Sequence, residues 1–170
     1  MWNKIKLFLF MGLVTVISGC STAKESVANL TCPQTGLMRE ASVVSYMDGD
    51  KIRAQALFDR LSGGCRFIHD LVEQDLSISI YAERDAESVQ EKQEVSYFIA
   101  VLDPNDVLLK KQEFTVSLVF DDDNHAQTSD IITQLIPVSS AVNAGQYKVT
   151  VGFVLTEKQL NDNRQKQKGL

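Results

Sequence analysis

The chain has 170 residues, of which 44% are hydrophobic and 23% charged, an ordinary globular mixture that excludes extended disorder and fibrous repeats. Seventeen Lys and Arg against 22 Asp and Glu leave a formal charge of -5, so the basic footprint that nucleic-acid binding needs is missing. The length accommodates one ordinary domain and little more.

Met1 to Gly19 has the parts of a bacterial secretory signal. Lys4 and Lys6 form a positive n-region, and Ile5, Leu7 to Met11 and Leu13 to Ile17 supply an apolar run. That run is about a dozen residues, short of the roughly 20 that span a bilayer. Ile17-Ser18-Gly19-Cys20 then resembles the lipobox of bacterial lipoproteins. In that family the cysteine is diacylated on sulfur, the signal is cut before it, and the new amine is acylated in turn. The resemblance implies that Cys20 is an anchor to the membrane through its acyl chains and not a catalyst. Two or three chains make dissociation negligible, because each buried CH2 adds about 0.8 kcal/mol. The competing readings are an ordinary signal peptide with a chance cysteine and an uncleaved anchor. Ser21 stands where, in enteric bacteria, an Asp would hold a lipoprotein at the inner membrane, so the resemblance implies the periplasmic face of the outer membrane. Cleavage would leave 151 residues and remove Lys4, Lys6 and the only tryptophan, Trp2, for a side-chain charge of -7. An acidic body is repelled by anionic headgroups, so the lipid does the attaching.

Residues 20–31 read as the acylated cysteine and a flexible tether, polar and without a period from Ser21 to Leu30, and the domain runs from residue 32 to 170. Cys32 and Cys65 remain as an even pair in an exported chain, which predicts a disulfide. The alternative is two free or metal-binding thiols, although two cysteines without partner histidines make a poor zinc site.

Period two dominates from there. Ala41 to Tyr46 and Ile52 to Phe58 are short strand candidates, and Gly63-Gly64 reads as a loop or a close-approach point. Cys65 to His69 is expected to pair with Leu76 to Tyr81 across a turn near Leu71 to Gln74. Leu76, Ile78 and Ile80 alternate with polar residues, with Tyr81 in the exposed phase. Val95 to Leu102 is nearly continuously apolar and reads as a central strand covered on both faces. Asp103-Pro104-Asn105-Asp106 supplies turn chemistry. Val107 to Leu109 and Phe114 to Phe120 return as a hairpin partner, with a bulge or kink expected in Lys110 to Glu113. Asp121 to Asn124 turns again, Ile131 to Val138 reads as an edge strand because of Pro137, and Asn143 to Gln146 is a turn with Gly145 available for positive φ. Tyr147 to Leu155 is a further clean alternation. Thr156 to Gln159 fits a capping box opening a short helix, which is expected to fray beyond Arg164 because only Leu160 offers an apolar anchor. About seven short strands and almost no helix predict an all-β fold, an antiparallel two-sheet sandwich of immunoglobulin or fibronectin type with a short C-terminal helix, the alternative being a barrel.

Chemistry is sparse. His69 and His125 lie in no nucleophile-elbow or HExxH pattern, so no catalytic residue is expected and the chain is read as no enzyme. The run Asp121, Asp122, Asp123 with Asn124 and Asp130 invites calcium, but the sixth and twelfth positions counted from Asp121 are Ala126 and Ile132, which fails the EF-hand pattern. A solvated acidic hairpin tip is the plainer reading, and no metal or cofactor is assigned. The aromatics Tyr97, Phe98, Phe114, Phe120, Tyr147 and Phe153 read mostly as core.

Beyond the lipobox, the chain resembles a family of small uncharacterised envelope lipoproteins of alphaproteobacteria. The resemblance rests on Cys32-Pro33, on Cys65 ahead of a hairpin, and on the Tyr97 to Asp103 strand. Lys111 with Phe114 to Val116, and the signature from Gly152 to Arg164, complete it. It brings no reaction or ligand. It implies a lipid-anchored envelope domain whose C-terminal segment, with Gln159, Leu160, Asn163 and Arg164, has a role. The reading of the whole chain is a non-enzymatic lipoprotein that binds or positions another envelope protein, with the Ile131 to Val138 edge and the C-terminal helix, including those four residues, as candidate contacts. The plainer account of that segment is capping and docking of the last helix. A ligand-binding or adhesive module, assisted by calcium through the Asp121 to Asp130 loop, is the alternative.

Overall fold

Alternation of apolar and polar residues over long stretches produces strands that pair mostly with their chain neighbours. The computed structural model describes residues 31–138 and 141–168; the signal, the lipobox with Cys20 and the tether of residues 21–30 lie outside the described residues. The strands are β1 (Gln34–Leu37), β2 (Val43–Asp48), β3 (Lys51–Ile68), β4 (Leu71–Arg84), β5 (Lys92–Leu102), β6 (Leu108–Val119), β7 (His125–Pro137) and β8 (Lys148–Phe153), followed by helix α1 (Glu157–Lys168). Short 3-10 turns at Arg39–Ala41 and Ala141–Gln146 link β1 to β2 and β7 to β8. One sheet has the order β1-β8-β5-β6 and the other β2-β3-β4-β7. The two-sheet sandwich with a C-terminal helix is therefore as expected, except that β1 runs parallel to β8.

Between the sheets, Phe58 of β3 stacks on Phe153 of β8 at 4.1 Å and meets Tyr97 of β5 edge-on at 6.4 Å. Leu76, Ile78 and Ile80 of β4 and Val95, Ile99 and Val101 of β5 fill the space around them, each 2% exposed or less. β5 is the central strand predicted from its apolar run, flanked by β8 and β6.

Several expectations are corrected. β3 is one strand of 18 residues and not a short strand followed by a glycine loop. Its register slips between Phe58 and Arg60, leaving Asp59 as the extra residue of a bulge that inverts the inward phase. Gly63 is a close-approach point: a Cβ there would lie 2.0 Å from the Asp75 carbonyl oxygen. The hairpin turns at His69-Asp70, with His69 at φ 52°, so Leu71 to Gln74 belong to β4 and His69 is a turn residue. The bulge in the β5–β6 hairpin falls at Leu109, opposite Val101 and Leu102, whereas Lys110 to Glu113 pair regularly. Gly145 does not take positive φ; it is small because Thr31 packs within 2.9 Å of where its Cβ would be. Asp121 to Asn124 is not a hairpin tip but the crossing from β6 in one sheet to β7 in the other.

The disulfide joins Cys32 to Cys65, with 5.7 Å between Cα atoms. It ties the segment leading into β1, in one sheet, to β3 in the other.

Candidate functional site

Two flanks close the sandwich and they differ. On one, β1 passes into β2 through the 3-10 turn, and α1 lies against it. Thr156 and Gln159 form the expected capping box: the Thr156 backbone N–H donates to Gln159 Oε1 at 2.9 Å and the Gln159 N–H to Thr156 Oγ1 at 3.3 Å. Residues four apart share one face of a helix, and three amides on that face reach the neighbouring backbone. Gln159 Nε2 donates to the Ser45 carbonyl, Asn163 Nδ2 to those of Glu40 and Val43, and Gln167 Nε2 to that of Arg39, all at 2.9–3.0 Å. Ser45 and Val43 belong to the unpaired side of edge strand β2, so the helix satisfies acceptors that a stray strand would otherwise take. Gln167 also explains why α1 does not fray beyond Arg164 but continues to Lys168.

Of the predicted contacts, Gln159 and Asn163 thus hold the helix to its own domain. Leu160 is half-buried beside Met38, Phe98 and Leu155. Arg164 is exposed, at a shallow recess with Arg39 and Glu40. Between α1 and the β2–β3 hairpin runs a groove of about 540 Å³ with Tyr46, Met47 and Ile52 on one side and Thr156, Gln159 and Lys166 on the other. Met47 and Ile52 are 47% and 42% exposed there. Burial, outweighing a hydrogen bond with Gln93, pushes the Tyr46 hydroxyl above its ordinary range and keeps it a neutral donor to the Glu94 carbonyl.

The opposite flank carries β6 and β7, the outer strands of the two sheets. β6 has Lys110, Lys111 and the Leu109 bulge, devices that discourage strand addition. β7 has neither: its pairing with β4 runs without a slip from His125 to Pro137, it carries no lysine, and Ile131 and Leu135 stand 76% and 52% exposed. The expected edge strand is there, and longer than the stretch from Ile131. Its one inward charge is Asp130, whose Oδ2 accepts the Tyr97 hydroxyl at 2.7 Å and whose Oδ1 accepts the Ile131 N–H. Burial first, then the Asp130 carboxylate, holds the Tyr97 hydroxyl far above the ordinary tyrosine range.

Asp130 in mid-strand, engaged by Tyr97, is not part of one loop with Asp121. Asp121 Oδ1 accepts the His125 N–H across the crossing, and Asn124 sits at φ 67°. Among the described residues no group of three or more His, Cys, Asp or Glu gathers as a metal-ligand set. The Tyr81 hydroxyl is 2.7 Å from His125 Nδ1 and donates to Glu83 at 2.8 Å, with the two rings stacked. His125 therefore partners a tyrosine, not a serine. Asp103 caps its own turn, and the Val107 and Asn105 backbone N–H groups hold its carboxyl below the usual range.

No family model matches the chain, and no curated protein matches it. Among solved structures, the chain is similar to a DUF1425 family member from Shewanella sp. pv-4, at 11% identity and a TM-score of 0.36, over 69% of this chain and 94% of that one. It is also similar to the variable domain of the Streptococcus agalactiae AgI/II polypeptide BspA, at 12% identity and a TM-score of 0.19, over 66% of this chain and 73% of that one.

Proposed function

We propose that this small β-sandwich is the body of a bacterial envelope lipoprotein, held to the membrane by acyl chains on Cys20, that binds another envelope protein without catalysing a reaction. The lipobox from Ile17 to Cys20 carries the anchoring half of the reading, and the Cys32–Cys65 disulfide agrees with export to an oxidising compartment. The β7 edge, unslipped and without lysine, carries the binding half: on either side of the Ile131 N–H, which Asp130 takes, an extended partner segment can add to it through main-chain hydrogen bonds, with Ile131 and Leu135 supplying side-chain contacts. The α1 flank is the less suitable surface, because Gln159 and Asn163 already hold their own backbone.

The test takes the full chain in cells fed an alkyne fatty acid, with a photo-crosslinking residue at Ser129 on β7 or at Gln165 on α1. Label is expected on the wild type and absent from Cys20→Ala. One envelope protein is expected to crosslink from Ser129 and not from Gln165; equal or no adducts from both positions would sink the β7 assignment. A second reading, capture of a small ligand, is favoured by the groove beside Met47 and Ile52, whose volume lies in the range of ligand pockets. Adducts of low mass at Gln165 would move the function there.

A further inference from the structure

The strand registers sort the surface into two ends that differ in charge. Lys148 at the start of β8 pairs with Leu102, which also pairs with Leu108, and the Gln34 N–H donates to the neighbouring Tyr147 carbonyl. The β5–β6 tip is therefore at the end where the chain arrives through Cys32. Cys65 is bonded to Cys32, and β3 continues three residues beyond it to Ile68, so the β3–β4 tip is at that same end.

These two tips expose apolar side chains. Val107, Leu108 and Leu109 are 56%, 55% and 46% exposed, and Ile68 and Leu71 are 39% and 37%. Beside them Lys148 pairs with Asp106 and Arg66 with Glu73, and Asp70, Asp103 and Lys110 lie there too. At the far end, the Arg84 N–H donates to the Asn124 carbonyl and the Phe120 N–H to that of Glu91, which brings the 85–91 loop and the 120–124 crossing together. Asp85, Glu87, Glu91, Asp121, Asp122 and Asp123 lie there, with Lys51 paired to Asp85 and Glu87, and so do Val89 and Val119, 95% and 68% exposed.

We infer that the end formed by Ile68, Leu71, Val107, Leu108 and Leu109 rests on the lipid bilayer surface, with the acidic end directed away from it. The inference rests on the proposal that Cys20 is acylated. Ten residues separate Cys20 from Thr31, and fully extended they span about 35 Å at most. The acyl anchor thus lets this end rest on the membrane with the tether slack, whereas the other end reaches it only with the body tilted and the tether near its full length. The far end is a further β4 length away, 14 residues or about 46 Å. Charge orients the body in the same sense, since the negative field of anionic lipid repels the acidic cluster of the far end, which Lys51 offsets only in part, more than the mixed charges of the near end. Exposed leucine and isoleucine gain by entering the headgroup boundary, and the acyl chains keep the body there long enough for so small a gain to orient it.

Signal removal would take away Trp2, so a single introduced tryptophan reports its own position. The full chain, purified with its lipid and weighed by mass spectrometry, is placed in phosphatidylcholine vesicles whose acyl chains carry bromine. Leu108→Trp and Ile68→Trp are each compared with Val119→Trp, at the far end and 68% exposed. Quenching of about twofold is expected at positions 108 and 68 and essentially none at 119, since tryptophan settles at the membrane interface when it reaches it. Two reporters on different tips guard against one variant failing to fold. Equal quenching at all three, or none, overturns the inference while leaving the lipoprotein reading intact. A blue shift without quenching puts a second copy of the chain on this end and overturns it too. A mass without acyl chains sinks the lipoprotein reading, and the inference falls with it.

Discussion

Tyr97 is a phenol at the centre of the core, fully buried, whose one polar atom reaches Asp130 at 2.7 Å. A buried hydroxyl without a partner is costly, and a carboxylate is a stronger acceptor than a neutral group. Removing the hydroxyl in Tyr97→Phe is expected to cost about 1–3 kcal/mol in chemical denaturation, because Asp130 then loses its donor. The pH dependence has a definite sign. Burial and Asp130 raise the folded-state value above the ordinary tyrosine range, so above pH of about 10 the unfolded chain releases a proton that the folded chain retains. Stability should therefore fall as pH rises past that point in the wild type, and fall less steeply in Tyr97→Phe; parallel curves would show that Tyr97 is not the cause. The same contact shows why Asp130 misleads in the sequence. Nine residues from Asp121 in an acidic stretch it reads as a loop ligand, yet β7 begins at His125 and turns it inward.

At the scale of the element, α1 is held by three amides and a single half-buried leucine, Leu160. Asn163→Ala removes both bonds to the Glu40 and Val43 carbonyls and should weaken docking by about 1–2 kcal/mol. Hydrogen exchange of α1 should then rise by roughly tenfold while β5 and β8 stay protected, since a docked helix opens locally; uniform exchange across the fold would refute a local role. Hydrophobic patterning makes legible what hydrophobic burial decides. The alternations of β4, β6 and β8, the central β5, the Asp103 turn and the capping box follow from side-chain sequence alone. It misses what backbone geometry decides. The Asp59 bulge reverses the inward phase from Ala54, Ala56 and Phe58 to Leu61, Cys65 and Phe67, so one long strand looks like two fragments. Gln159, Asn163 and Gln167 look like a solvated helix surface, because nothing in a glutamine announces a carbonyl four residues' reach away in another element. For the candidate site, Pro137 marks β7 as an edge, but the lack of a lysine or bulge along its whole length matters only once its bounds are known.

For the whole molecule, the disulfide sets how the sheets and the incoming chain relate. Local pattern does not reveal that the β3–β4 and β5–β6 tips share one end with Cys32; that depends on which strands pair across the sandwich. β1 is only four residues long, lies at an edge and pairs in parallel with β8, so it has little to hold it besides the bond at Cys32. β3, by contrast, is paired along its length with β4 and does not need Cys65 to stay in place. Replacing both cysteines, Cys32→Ser with Cys65→Ser, removes a crosslink between residues 33 apart, which is worth roughly 3–4 kcal/mol in the chain-entropy account. Two effects should separate. The melting temperature should drop, and before global unfolding the amides of β1 should exchange freely while those of β3 and β4 remain protected. If β1 stays protected in the double variant, its parallel pairing suffices and the bond acts only by restricting the unfolded chain. If β3 opens together with β1, the crosslink braces the sandwich itself, and reduction would loosen the end that carries Ile68 and Leu71 as well as the chain that leads to it.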